Sequence, residues 1–344
     1  GLVGSEMCIR DRFVPHLGCP NDCVFCNQRR ISGSQLPATA ENVRQAVDRA
    51  EALLPKEVRR QLAFYGGSFT AIPVAEQLSL LEAAREELSR GRIDSVRLST
   101  RPDAIDGQVL SRLAAYGVET IELGAQSMDE QVLLLSGRGH TAEDVETASR
   151  LIRERGFRLI LQMMTGLPGD SVEKSLETAR RIAALKPDGV RIYPTVIVRD
   201  TALYELWKAG RYREHSVEDA VELCSRLLPV FEEAGIPVIR LGLNPTEELS
   251  AGAAAGGAYH PALGELVKSR MMYNRACALL ENAAPGSRVV LEVGRGKTSQ
   301  MVGQHRRNMA ALMARFALAD LKIRESDTKT DDIKIISIEI TDDV

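Results

Sequence analysis

The chain has 344 residues, of which 44% are hydrophobic and 26% charged, enough to bury one large domain or two of ordinary size. No apolar run approaches the roughly 20 residues of a membrane-spanning helix, and no signal segment opens the sequence, so we expect a cytoplasmic protein. Six cysteines are too few for a disulfide scaffold in a chain of this length, so a cluster of them indicates metal binding or chemistry.

The first twelve residues, GLVGSEMCIRDR, resemble a translated sequencing adapter rather than natural protein sequence. We therefore leave residues 1–12 out of the fold prediction, which begins at Phe13. On this interpretation Cys8 has no role and the natural start of the chain lay upstream.

Short β-rich runs alternate with helical segments from Phe13 to Val198, which is the pattern of βα units around a parallel sheet. The runs that predict strands are FVPHLG, LAFYGG, SVRLST, TIELGAQ, RLILQMMTG and GVRIYPTVIV. The segments between them have apolar residues at helical spacing, and Thr141, Asp144 and Gly156 mark the start and end of one helix. Six units in about 190 residues are too few for a complete barrel of about 250, so the predicted fold is α/β with a partial (β/α)6 barrel of the TIM type.

Beyond Val198 the alternation loosens. Two helices are predicted from TALYELWKAGRYREH and SVEDAVELCSRLLPVFEEAG, then a strand from IPVIRLGL and a flexible loop from SAGAAAGGAYHP. A helix (ALGELVKSRMMYNRACALLE), a strand (RVVLEV), a helix (HRRNMAALMARFA) and a strand (IKIISIEI) complete a smaller α/β domain. We therefore divide the chain into residues 1–12, a barrel at 13–215 and a C-terminal domain at 216–344.

The charge is unevenly spread along a chain whose net charge is −3. Residues 265–324 hold eleven Lys or Arg and four Asp or Glu, whereas the last twenty residues have a net charge of −5. A local basic face can bind a polyanion, so RNA is a candidate partner. The candidates for phosphate contacts are Lys297, His305, Arg306 and Arg307, and a solvated helix start is the alternative interpretation.

Three cysteines, Cys19, Cys23 and Cys26, lie in one short loop, GCPNDCVFCNQRR, directly after the first predicted strand. Their spacing lets three thiolates reach a single iron–sulfur cluster or a single ion. Structural zinc sites are closed by four protein ligands, and His16 would be the fourth. In an extended segment His16 and Cys19 face opposite sides, so an iron–sulfur cluster with an open position is favoured over closed zinc.

The other unusual motifs of the barrel region also follow predicted strands. They are GGSF, STRPD, GAQS, TGLPGD and YPTV. In a parallel βα barrel the loops that leave the C-terminal strand ends build the active site. We therefore expect these motifs to surround the cysteine loop.

Together with GRGHT, FRLILQMMTGLPGD and YHPALGELVKSR, these motifs resemble the radical S-adenosylmethionine (radical SAM) superfamily. Within it they are most similar to the radical domain of the elongator catalytic subunit and its stand-alone bacterial relatives. The resemblance is close over residues 13–215. The acetyltransferase domain of elongator proteins has no counterpart in the sequence, so acetyl transfer is not implied.

The resemblance implies a 4Fe-4S cluster held by Cys19, Cys23 and Cys26, with S-adenosyl-L-methionine bound at the open iron. It implies reductive cleavage of that cofactor to a 5'-deoxyadenosyl radical, with electrons from an external donor such as flavodoxin or ferredoxin. It also implies modification of tRNA. The alternative is a non-catalytic iron–sulfur or zinc protein that binds RNA.

The resemblance also implies a set of cofactor-binding residues: Phe25, Gly66, Gly67, Ser68, Gln126, Arg138 and Gln162. Glycines such as Gly66 and Gly67 let the backbone approach a ligand closely. Arg101 lies at another strand end, and Tyr65, Thr165 and Tyr193 are candidates for the substrate side. Packing is the alternative for Phe25 and for the substrate-side residues, and Glu122 is either a site residue or a partner in an interior ion pair.

Overall fold

The computed structural model describes residues 7–13 (backbone only), 22–26, 38–53, 55, 57–243, 252–328 and 332–340. The chain divides into two compact units. The barrel unit comprises residues 1–216 and 227–259, and the C-terminal unit comprises 217–226 and 260–344. Within the described residues, no helix combines the length and the apolar character needed to cross a membrane.

Strands and helices alternate through the first half of the chain. They are β1 (Met7–Phe13), α1 (Ala40–Leu53), β2 (Arg60–Tyr65), α2 (Val74–Ser89), β3 (Ser95–Thr100), α3 (Gly107–Ala115), β4 (Val118–Gln126), α4 (Glu130–Leu135), α5 (Ala142–Glu154), β5 (Arg158–Thr165), α6 (Val172–Ala184) and β6 (Gly189–Pro194). There follow β7 (Val196–Val198), α7 (Ala202–Lys208), α8 (Val217–Glu233), β8 (Val238–Leu241) and β9 (Ala254–Gly257). The main sheet has the order β1-β2-β3-β4-β5-β6-β8, and every neighbouring pair is parallel.

One contact shows that this sheet is curled. In a flat sheet β2 and β6 would lie about 19 Å apart, since three strands separate them and neighbouring strands are spaced by about 4.8 Å. Arg191 on β6 nevertheless donates a hydrogen bond to the hydroxyl of Tyr65 on β2 at 3.1 Å. The predicted partial barrel is therefore confirmed, with a concave face on which side chains of distant strands meet.

The helices cover the other face of the sheet with apolar stripes. In α5, Val145, Ala148 and Ile152 are buried at helical spacing. The predicted cap is confirmed, because the Thr141 side chain accepts from the Asp144 backbone and the Asp144 carboxylate accepts from the Thr141 backbone. The helix ends just before Gly156, which has a φ of +78°.

The first strand lies earlier than predicted. β1 ends at Phe13, opposite Tyr65 of β2, whereas the sequence predicted a strand beginning at Phe13; most of that predicted strand lies outside the described residues. The open edge of β2 offers main-chain N–H and C=O groups that any extended segment can bond. Residues 7–12, which we left out of the fold prediction, can therefore form most of β1. The origin of residues 1–12 stays a prediction.

Three further predictions were wrong in the region from β6 to β9. The predicted strand 189–198 is two strands, and the predicted flexible loop contains β9, which pairs antiparallel with β7. The close approach of β9 to β7 requires glycine at position 257, because a Cβ there would lie 2.6 Å from the Thr195 carbonyl oxygen. The strand predicted from IPVIRLGL exists as β8, but it extends the barrel sheet instead of belonging to the appendage.

The C-terminal unit contains α9 (Leu263–Leu279), β10 (Ser287–Val293), α10 (Thr298–Val302), α11 (Arg307–Arg315), β11 (Asp320–Glu325) and β12 (Ile333–Ile340). Its sheet has the order β11-β10-β12, with β10 parallel to β11 and antiparallel to β12. Helices α9 to α11 contribute to an apolar core that includes Met272, Leu291, Met301 and Leu312.

Candidate functional site

A cavity of about 300 Å³ lies at the concave face and the carboxyl ends of the barrel strands. It is lined by Tyr65, Gly66, Gly67, Ser68, Ser99, Thr100, Arg101, Glu122, Gly124, Gln126, Arg138, Gln162, Arg191 and Tyr193. Six of the seven predicted cofactor-binding residues are among them. The strand ends therefore converge on one cavity, as the parallel topology predicts.

The loop after β2 is fixed to the end of β3. The Ser68 hydroxyl lies 2.9 Å from that of Thr100 and accepts a hydrogen bond from the backbone of Arg101. Gly66 has a φ of +101°, a conformation that favours glycine. Ser68 thus stabilises the loop, while the backbone of Gly66 and Gly67 borders the cavity.

The end of β4 provides a polar group suited to a ligand. Gln126 is buried with a φ of +64°, and its Oε1 accepts no hydrogen bond from any described residue. A Cβ on Gly124 would lie 2.8 Å from Gln126 Nε2 and 3.2 Å from Arg138 Nη2, so glycine lets these two side chains lie against the backbone of β4. A buried acceptor without a partner among the described residues, in the lining of a polar cavity, fits a bound polar cofactor.

The floor of the cavity is a charged network around Glu122, which is fully buried. Its carboxylate accepts from Arg97 at 2.9 Å, from Arg191 at 2.9 and 3.0 Å, from Gln162 at 3.0 Å and from the Tyr65 hydroxyl. These donors come from β2, β3, β5 and β6. Both interpretations of Glu122 therefore hold, because it is an interior ion-pair partner and also lines the cavity.

Electrostatics keep the Glu122 carboxylate charged. Burial alone would raise its pKa, but Arg191 and Arg97 outweigh burial and hold the pKa below its ordinary value. Burial, reinforced by the Glu122 charge, raises the pKa of Tyr65 far above its usual range. The floor therefore presents a fixed carboxylate and a neutral phenol at any ordinary pH.

The described part of the cysteine loop, residues 22–26, is anchored from two sides. The backbone N–H of Val24 donates to the Ser136 carbonyl at 3.1 Å, and the Val24 carbonyl accepts from the backbone of Leu203 at 2.7 Å. Cys23 is buried and Cys26 is half-buried. Cys19 and the alternative ligand His16 lie outside the described residues, so the ligand role of the three cysteines stays a prediction.

Arg138 connects the cysteine loop with the cavity. Its guanidinium is buried and donates to Cys23 Sγ at 3.4 Å and to the Gly124 carbonyl at 2.6 Å. Arg101 in turn donates to the Arg138 carbonyl at 2.6 Å and pairs with Asp103. Cys23 and the cavity therefore share one side chain and form a single site.

Two predicted residues lie apart from the cavity lining. Phe25 packs against a cluster of Ile197, Leu203 and Tyr212. Thr165 is buried, and its hydroxyl lies 3.1 Å from Nε2 of His215. Phe25 and Thr165 both have packing roles, the alternative that the sequence left open for them. A contact of Phe25 with the cofactor stays a prediction.

Sequence reasoning missed Arg97, Arg191 and His140. Arg97 and Arg191 stand two residues from Ser99 and Tyr193 on their strands, so alternation places them on the concave face, a signal present in the sequence. His140 is buried, with Nε2 donating to the Ala125 carbonyl at 3.1 Å. Burial, and then the charge of Arg138, lowers the pKa of His140 to about 4, so the ring is neutral and its hydrogen bond holds the end of β4 next to Gln126.

The predicted phosphate contacts lie in the C-terminal unit. His305, Arg306 and Arg307 are exposed and consecutive at the start of α11, and Lys297 precedes α10. His305 and Arg306 have φ values of +52° and +60°, unusual for non-glycine residues. Asn308, which follows, donates to the carbonyls of Ser269 and Gln300. The turn is thus fixed on its inner side and basic on its outer side.

Family models match most of the chain. The Radical SAM superfamily model matches residues 13–182, and the Radical_SAM C-terminal domain model matches residues 187–273. The chain belongs to the radical SAM superfamily. This confirms the predicted superfamily and the assignment of the chain to a class of enzymes.

Curated relatives point to one branch of that superfamily. Elongator complex protein 3 of Homo sapiens is 32% identical over 226 residues, which cover 60% of this chain and 40% of that protein. The tRNA uridine(34) acetyltransferase of Methanocaldococcus infernus is 30% identical over 195 residues, covering 54% of this chain and 36% of that protein. The chain therefore spans less than half the length of these relatives, and its homology lies with their radical SAM region.

A solved structure shows the same fold. The archaeal Methanocaldococcus infernus Elp3 with an N-terminus deletion superposes with a TM-score of 0.59 at 22% identity, covering 82% of this chain and 70% of that one. The likeness confirms the partial α/β barrel with a further C-terminal α/β region.

Proposed function

We propose that the protein binds a 4Fe-4S cluster through Cys19, Cys23 and Cys26, and binds S-adenosyl-L-methionine in the adjoining cavity. Together these groups would supply a 5'-deoxyadenosyl radical by one-electron reductive cleavage, with an external flavodoxin or ferredoxin as the electron source. The supporting observation is that Arg138 lines the cavity and also donates a hydrogen bond to Cys23. The cysteine loop and the polar cavity are thereby parts of one site.

The chain's own residues would bind and orient the cofactor. Gly66 and Gly67 border the cavity with backbone that a ligand can approach closely. Gln126 offers a buried oxygen that suits an ammonium or hydroxyl donor. Gln162 is held by Glu122 through its amide nitrogen, so its orientation is fixed. Tyr65 and Tyr193 line the same cavity and are the proposed substrate-side residues.

Anaerobic reconstitution tests the reaction. The full chain is loaded with iron and sulfide, reduced with dithionite and supplied with S-adenosyl-L-methionine. We expect equal amounts of 5'-deoxyadenosine and methionine. Cys23→Ala should abolish the product, whereas Cys277→Ala, a half-buried cysteine of α9, should retain it. A protein that holds a full four-iron cluster and makes no 5'-deoxyadenosine would instead be a non-catalytic iron–sulfur protein.

We also propose tRNA as the substrate. Two observations support it: a similar protein is named a tRNA uridine(34) acetyltransferase, and the C-terminal unit presents consecutive exposed basic residues at His305, Arg306 and Arg307. Such side chains bind phosphates without reading sequence, so they would hold the RNA rather than choose the base. Lys297 lies close to this turn in sequence and is included in the proposed contact set.

A salt series with matched variants tests tRNA binding. Arg306→Ala with Arg307→Ala should weaken binding and reduce the slope of log K against log salt by about 1 to 2, because each lost phosphate contact removes about 0.7–0.9. The matched control is Arg150→Ala with Arg180→Ala, which removes two arginines from exposed helix pairs of the barrel unit. Equal slopes for the two double variants would argue against this turn as the RNA contact.

A further inference from the structure

The loop after α4 is a cradle for the cysteine loop. We define the cysteine cradle as Ser136, Gly137 and Arg138. Ser136 accepts from the backbone of Val24 at 3.1 Å, and Arg138 donates to Cys23 Sγ at 3.4 Å. Between them, Gly137 has a φ of +66°, and a Cβ there would lie 3.2 Å from the Asp22 carbonyl oxygen. Three consecutive residues thus contact the segment that carries Cys23.

The guanidinium of Arg138 is already engaged by the protein. Nη1 donates to Cys23 and Nη2 donates to the Gly124 carbonyl, while Arg101 holds the Arg138 carbonyl. The side chain is buried, so its charge is screened far less than a surface charge would be. Its orientation is therefore set toward the cysteine loop before any ligand enters the cavity.

We infer that Arg138 is a positioning residue for the iron–sulfur cluster, holding the Cys23 sulfur and raising the cluster's reduction potential. This role differs from the direct contact with the cofactor that the family resemblance implied for Arg138. The inference rests on the proposed function, because it requires a cluster at Cys23.

The physical reason is the charge of the reduced state. Reduction adds one electron to the cluster, so a fixed positive charge and an N–H···S hydrogen bond stabilise the reduced form more than the oxidised one. Such partners of ligand atoms also orient the ligand, and their loss commonly costs about 10- to 100-fold in metal affinity or activity. Arg138 combines both effects on one ligand sulfur.

A redox titration of the reconstituted full chain tests this role. The cluster is followed by electron paramagnetic resonance, and iron and sulfide are counted for each variant. Arg138→Gln keeps a hydrogen-bond donor but removes the charge, so its midpoint potential should be more negative than that of the unmodified protein. Arg138→Lys restores the charge and should return the potential toward the original value. Arg150→Gln, on an exposed face of α5, is the control and should leave the potential unchanged.

Each outcome decides the matter. An Arg138→Gln cluster with full iron and an unchanged potential would overturn the inference. Loss of iron in Arg138→Gln with full loading in Arg138→Lys would support the requirement for charge. Loss of iron in both variants would overturn the requirement for charge, because restoring the charge would not restore the cluster, and would leave the bridging hydrogen bonds as the reason Arg138 is needed. Failure of the proposed function is distinct, because the unmodified protein would then hold no four-iron cluster or form no 5'-deoxyadenosine.

Discussion

The interiors of the two units differ in kind. The concave face of the barrel buries a carboxylate, Glu122, with the arginines Arg97 and Arg191. The core of the C-terminal unit is built from side chains such as Leu291, Leu312 and Ile333. An apolar core is stabilised by burial alone, whereas a buried ion network adds little net stability and is typical of sites that need fixed charges. The contrast indicates that the barrel interior is shaped for chemistry and the C-terminal core for packing.

Among the changes considered, removal of the Glu122 carboxylate should lower the free energy of unfolding the most. Glu122→Leu leaves Arg97 and Arg191 buried without their partner, so we expect a loss of about 3–5 kcal/mol in the free energy of unfolding. The chain has one tryptophan, Trp207 in the barrel unit, so its fluorescence in urea reports on this unit. Glu122→Gln, which keeps hydrogen bonds, should lose less. An unchanged urea midpoint for Glu122→Leu would contradict the assigned role of the network.

That loss should depend on pH in a definite direction. Because the pKa of Glu122 is lowered in the folded state, its charge contributes stability above the unfolded pKa of about 4.3, and this contribution is lost as pH falls through the folded pKa. The difference between the unmodified protein and Glu122→Leu should therefore shrink in acid.

His140 should give the next largest effect. Its pKa of about 4 lies below the unfolded value of 6.5, so the neutral ring contributes stability that is full above pH 6.5 and is lost as pH falls toward 4. The difference between the folded and unfolded pKa values of His140 corresponds to about 3 kcal/mol in the free energy of unfolding. Burial, and after it the charges of Arg138 and Arg101, disfavour the protonated ring, whereas the hydrogen bond to Ala125 and the charge of Asp103 partly oppose them.

The measurement for His140 is the unfolding free energy of the apo protein from pH 7 to pH 4. His140→Gln removes the titrating ring, so its stability should fall less steeply than that of the unmodified protein over this range. Parallel curves for the two proteins would refute the role given to the buried imidazole.

A substitution in the C-terminal core should lower the free energy of unfolding only slightly, and by the same amount at every pH. Ile333→Val removes one methylene from a buried side chain, which costs about 0.5–1.5 kcal/mol. The change is best followed by far-ultraviolet circular dichroism, since Trp207 lies in the other unit. A cost that varied with pH would show that ionisable groups support this core as well, and the contrast between the units would lose its basis.

The sequence predicted which residues meet at the strand ends, because parallel strands all end at the same edge of the sheet. The motifs that carry Gly66 and Gln126 could therefore be grouped from the alternation of strands and helices, whereas Arg138, which follows α4, was assigned to the site by the family resemblance. The partners of Glu122 could not be predicted in the same way. They depend on the curl of the sheet, which brings Arg191 within 3.1 Å of Tyr65 across three intervening strands.

Other differences have local physical causes. The run SAGAAAGGAYHP has the composition of a loop, yet Gly257 is needed there because β9 pairs so closely with β7. The position of Phe25 depends on long-range packing against the cluster of Ile197, Leu203 and Tyr212, which sequence spacing does not show. α4 and α10, of six and five residues, are too short for helical periodicity to reveal them.

The anchoring of the cysteine loop bears on how this protein can be cut and recombined. The loop is hydrogen-bonded through Val24 to Leu203, and its Phe25 packs against the cluster of Ile197, Leu203 and Tyr212. All of these partners lie beyond the segment 13–182 that matches the superfamily model. A fragment trimmed to that segment would lack both anchors. The smallest portable module that keeps the loop in place therefore extends past Tyr212, and a junction for domain exchange belongs after that residue.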